Sequence, residues 1–68
     1  MGFTKRFLTK EMIISRRKSD INLTNFLLVD GIICLDEFSI SLIEALSNGA
    51  SENDLKKMVD QVIHLDVQ

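Results

Sequence analysis

Apolar residues recur at helical spacing near the end of the chain. Leu55, Met58, Val59, Val62 and Ile63 stand at i, i+3, i+4, i+7 and i+8, which is one stripe of a 3.6-residue period. Lys56, Lys57, Asp60 and Gln61 fall on the other face. Ser51 offers a hydroxyl cap, and Glu52 and Asp54 put acids in the first turn, where the helix dipole favours them. The pattern predicts a helix over about 52–63. Upstream, Phe38, Leu42, Ala45 and Leu46 share one side, and Ile40 and Ile43 widen the stripe. Asp36 stands as the N-cap with Glu37 after it, and Gly49 suits the left-handed position that closes a helix. A helix over 37–47 follows, and only four residues, Asn48 to Ser51, separate the two. They are expected to pack as an angled or antiparallel pair.

The period changes before Asp36. Two apolar runs, Phe26–Val29 and Ile32–Leu35, flank Asp30-Gly31. Each run is short for a helix and rich in branched side chains, and an Asp-Gly pair between such runs is a strong hairpin signal. The pattern predicts a hairpin over 25–35. Both of its faces are apolar. One can rest on the helices, and the other needs a further layer, a partner or a second copy. Earlier still, residues 1–18 read as a basic first strand or arm: Phe7–Ser15 can form a strand, with 11–16 its favoured part, Lys18-Ser19-Asp20 as a turn and Ile21–Leu23 leading into Asn25–Val29. Phe3, Phe7 and Ile14 with Lys10 and Glu11 also fit a helical stripe; the strand is favoured. The expected fold is α+β: an N-terminal three-stranded antiparallel sheet followed by two helices. No internal repeat, linker or low-complexity stretch stands out.

Length and composition bound the rest. With 68 residues the chain makes one domain, residues 1–68. A chain this short buries only about 60% of its unfolded surface, so a partner or second copy would help it. Hydrophobic residues at 46% and a net charge of −2 exclude a disordered tail. One cysteine excludes a disulfide scaffold. No apolar run is long enough to span a membrane and no secretory signal is legible, so a cytoplasmic location is expected. The charge is unevenly placed. Residues 1–18 hold six bases and one acid, whereas residues 19–68 hold two bases and nine acids. Arg16, Arg17 and Lys18 are therefore candidate contacts for an anionic partner. Nucleic acid is disfavoured, because no aromatics interleave with the bases and Glu52 and Asp54 open the last helix. The plainer reading is a solvated basic face that pairs with the acidic body.

Reactive chemistry is sparse. His64 is the single histidine and sits near a helix end, where it suits the negative dipole better than general-base work. Cys34 lies in an expected strand with no histidine nearby, which favours an inert thiol. One cysteine and one histidine, thirty residues apart, do not make a metal site. The three glycines are scattered, so no phosphate-cradling loop forms. Neither a catalytic residue, a metal nor a cofactor is expected.

Leu27-Leu28-Val29-Asp30-Gly31-Ile32-Ile33-Cys34-Leu35, then Ile43-Glu44-Ala45-Leu46, Ser47-Asn48-Gly49-Ala50-Ser51 and Glu52–Val59 together resemble the PqqD-like peptide chaperones, the precursor recognition elements of ribosomal peptide modification. The likeness covers about half of the chain. Asp36 stands where that family usually has asparagine, and its third helix has no full counterpart here. The resemblance implies a truncated winged-helix-like fold. It implies a non-catalytic adaptor that binds a leader peptide by strand addition and presents it to a modifying enzyme. The peptide-contacting residues would be Ile32, Ile33, Cys34 and Leu35. The alternatives are a small winged-helix-like nucleic-acid-binding regulator, or another interaction or inhibitor module acting as a homodimer.

Overall fold

The computed structural model describes residues 5–66. The element order is β1 (Arg6–Leu8), α1 (Lys10–Lys18), α2 (Leu23–Leu27), β2 (Ile32–Cys34), α3 (Glu37–Ser47) and α4 (Glu52–Asp66). The two strands pair in parallel, with Arg6 opposite Ile32, Phe7 opposite Ile33 and Leu8 opposite Cys34. Parallel strands need a crossover, and α1 and α2 supply it.

This overturns the expected three-stranded antiparallel sheet and its winged-helix-like arrangement. The sheet has two strands, both of three residues. Residues 11–16 lie inside helix α1, not in a strand. The Thr9 hydroxyl accepts from the Met12 N–H at 3.2 Å and starts that helix. The Asp30-Gly31 turn exists, with Gly31 at φ 80°, but it joins a helix to a strand. Phe26 and Leu27 belong to α2, which Asn22 caps by accepting from the Asn25 N–H at 2.8 Å. The family-like stretch Leu27–Leu35 is thus a helix end, a loop and one strand. Residues 1–4 of the expected basic arm, Phe3 among them, lie outside the described residues.

The two later helices match their expected spans closely: α3 covers Glu37–Ser47, and α4 starts at Glu52 and runs a turn further, to Asp66. Asp36 caps α3 through Ser39, and Ser51 and Asp54 cap each other across the start of α4. Gly49, at φ 94°, closes α3: its N–H donates to Leu46 and the Ala50 N–H to Ala45. The end of α1 repeats this closure. Asp20, at φ 57°, donates to Arg17, and Ile21 donates to Arg16. The chain is therefore two successive strand-helix-helix units of one plan.

The core gathers Leu8, Ile13, Leu23, Phe26, Leu27, Leu42, Leu55 and Val59, drawn from β1 and all four helices. Helix α4 packs against the other three helices. The guanidinium groups of Arg6 and Arg16 stack on the Phe26 ring, 4.2 and 4.9 Å from its centroid.

Candidate functional site

The sheet positions the site. A parallel ladder directs alternate residues to opposite edges and opposite faces. The Arg6 N–H donates to the Gly31 carbonyl at 3.1 Å and the Leu35 N–H to the Leu8 carbonyl at 2.9 Å. This register turns Gly31, Ile33 and Leu35 toward β1. The N–H and C=O groups of Ile32 and Cys34 point to the outer edge of β2, where no backbone or side-chain group among the described residues pairs with their N–H. An edge in this state is a template for another extended chain.

The two faces of the sheet differ. Leu8 points inward and is buried, while Ile32 and Cys34 are half-buried against the core. Phe7 and its partner Ile33 point outward and are 52% and 37% exposed, and Leu35, on the same side as Ile33, is 57% exposed. Leu28 and Val29, in the loop that enters β2, are 65% and 40% exposed. Parallel sheets normally carry cover on both faces. This one shows solvent a row of large apolar side chains. The four residues expected to contact peptide thus form the open strand and its exit. Phe7 was not expected there, and Arg6-Phe7-Leu8 gives no apolar–polar alternation that would have marked it as the outward residue.

A polar hinge fixes the exit of both strands. The Asp36 carboxylate accepts from the Ser39 N–H at 2.8 Å and from the Lys10 N–H at 2.6 Å, so it caps α3 and α1 together. The Ser39 hydroxyl lies 2.7 Å from that carboxylate and 3.2 Å from the Leu8 carbonyl. Burial disfavours the ionised form of Asp36, but these donors and the nearby Lys10 charge outweigh it and hold its pKa below the ordinary value.

The basic candidates do not form one free patch. Arg17 makes a two-pronged pair with Asp60, at 2.9 and 3.0 Å, and lies 3.7 Å from Asp20. Arg16 stacks on Phe26, and Lys18 is exposed. Glu52 has a role that its place in the α4 first turn did not reveal. It accepts from the Leu23 N–H at 2.9 Å and from the Thr24 N–H and hydroxyl at 2.7 and 2.8 Å, and so caps α2.

Burial, then the Asp36 charge, pushes the Cys34 thiol up, which disfavours the nucleophilic thiolate. His64 is exposed on α4 in a depression whose lining, Lys57, Asp60, Gln61 and Leu65, comes from that helix alone. Among the described residues no cluster of three metal-ligating side chains occurs, and no helix is long and apolar enough to cross a membrane. No family model, curated protein or solved structure matches the chain.

Proposed function

We propose that the chain is a non-catalytic interaction module that captures an extended segment of another polypeptide by strand addition at β2. The observation that carries this reading is the unfinished sheet: two parallel strands, an outer edge at Ile32 and Cys34 that is unpaired among the described residues, and an apolar face exposed at Phe7, Ile33 and Leu35. A two-stranded sheet is marginal in water, and a third strand would add ladder hydrogen bonds and cover for the exposed side chains. The resemblance noted in the sequence would make that segment the leader of a precursor and the module an adaptor for a modifying enzyme. The open edge supports the narrower step, capture of an extended chain.

Selection of displayed random peptides on the folded chain, followed by titration of a selected synthetic peptide into isotope-labelled protein, tests the proposal. Amide shifts concentrated at 31–36 and Phe7 are expected, with slowed exchange of the Ile32 and Cys34 N–H groups. Shifts centred on α4, or an Ile33→Lys variant that binds as well as the parent, would overturn it.

A further inference from the structure

The charges around the two strands are of opposite sign. Strand β1 is preceded by Lys5 and followed, after Thr9, by Lys10. Strand β2 is preceded by Asp30 and followed by Asp36 and Glu37. Asp36 is occupied by its three donors and the nearby Lys10 charge, but Asp30 and Glu37 are exposed, one before the strand and one after it. Within β2 itself, Ile32, Ile33 and Cys34 carry no charge, and neither does Leu35. The strand that β2 already holds on its inner edge has the complementary make-up, with Phe7 opposite Ile33 and bases on either side of Phe7 and Leu8.

We infer that the segment taken up by the outer edge of β2 is an extended peptide with an apolar centre and a basic residue on each side. This rests on the strand-addition reading above. Asp30 lies three positions before Ile33 and Glu37 four after it, so bases some three or four positions from the peptide's centre would fall beside the two ends of β2. The same charges disfavour a second copy paired antiparallel about Ile33, since Asp30 of each chain would approach Asp36 and Glu37 of the other. A head-to-tail copy would offer the outer edge of β1, a strand of only three residues. A flexible peptide is not so limited and can also follow Leu28, Val29 and Leu35. Opposite charge at the rim steers the encounter and fixes the register of the added strand.

The test uses synthetic peptides with one valine-threonine centre, flanked by lysines in one and by glutamates in the other, titrated into labelled protein at low and high salt. The lysine-flanked peptide is expected to bind at least about tenfold more tightly at low salt, with shifts at 31–35. Salt is expected to narrow the gap, because surface charges are screened within about 10 Å at 0.1 M. The double variant Asp30→Asn, Glu37→Gln should abolish it. Equal binding of both peptides at 31–35 would overturn the charge rule and leave strand addition standing. Absence of shifts at 31–35 with either peptide would overturn both. Sedimentation that rises with protein concentration, with the β2 edge protected and no peptide uptake, would give the edge to a second copy and overturn both as well.

Discussion

The two strand-helix-helix units share a plan and differ in what holds them. In the second unit every cap is local: Asp36 with Ser39, and Ser51 with Asp54. The first unit has its own caps in Thr9 and Asn22, but it also leans on the second. Asp36 accepts from the start of α1, Glu52 accepts from the start of α2, and Asp60 holds Arg17 at the end of α1. In these three contacts an acid of the second unit meets donors of the first, beside the strand ladder and the Ser39 hydroxyl that reaches the Leu8 carbonyl. The uneven charge of the chain thus becomes a binding surface inside the molecule. These contacts predict that the second unit acts as the scaffold and that the first depends on it.

The largest test of that dependence lies in the shared core. Leu55 is fully buried on α4, the helix that packs against the other three. Leu55→Ala is expected to cost about 2–5 kcal/mol by urea unfolding, the range for buried leucines. For a chain of this size that is most of the stability, so Leu55→Val, at about 1 kcal/mol, is the milder companion. Hydrogen exchange in the milder variant should release α1 and α2 amides before those of α3 and α4. Simultaneous release, or α1 outlasting α3, would break the distinction between scaffold and dependent unit.

A smaller effect is expected at Glu52. Glu52→Ala removes the carboxylate that meets two backbone N–H groups and a hydroxyl at the start of α2, and should cost about 1–2 kcal/mol. Acid should reveal the same contact. Burial opposes ionisation of Glu52, but the donors from Leu23 and Thr24 outweigh it and hold its pKa below the ordinary glutamate value. A carboxyl with a depressed folded-state pKa stabilises the fold fully above its unfolded pKa. That contribution fades as pH falls through the folded value. Asp36 shifts in the same direction. Stability should therefore fall with acid from about pH 4 downward, and Glu52→Ala should flatten the slope in pH-dependent urea midpoints. An unchanged slope would show that the α2 cap is not coupled to folding.

The same contrast explains what the sequence disclosed. Helices α3 and α4 were legible because their signals are local: Asp36, Gly49, Ser51 and an apolar stripe lie within a few residues of the helices they define. Helix α1 was not. Its run Met12-Ile13-Ile14 suits a strand as well as a helix, and one of the donors at its start is satisfied by Asp36, twenty-six residues away. Helix α2 has five residues, and Asp30-Gly31 after it mimics a hairpin turn. Asn22, three residues before the amide that it caps, was the missed local clue. The Ile32–Leu35 segment stood out because four uncharged residues between acids look like a strand in either topology. Phe7 and Leu8 fall in the possible first strand, but their parallel pairing with β2 was hidden because it joins residues that no turn connects.

The smallest and sharpest comparison is between the residues that close α1 and α3. Both have positive φ, Asp20 at 57° and Gly49 at 94°, and both donate to the carbonyl three residues back. A side chain at such a φ is strained, with aspartate tolerated better than most. A Cβ added at Gly49 would meet nothing within 4 Å, so only backbone strain opposes it. Gly49→Ala should therefore destabilise by about 1 kcal/mol. Asp20→Gly should do the opposite and stabilise by a few tenths of a kcal/mol. Relief of the strained φ is offset by the larger entropy of glycine in the unfolded chain and by loss of the loose 3.7 Å pair with Arg17. Paired thermal melts of the two variants read the signs directly. Stabilisation by Asp20→Gly would show that α1 ends on a strained residue where α3 ends on a relaxed one. If Asp20→Gly destabilised by as much as Gly49→Ala, the side chain of Asp20 would have to hold α1 closed through Arg17, and the first unit would own a restraint that the second lacks.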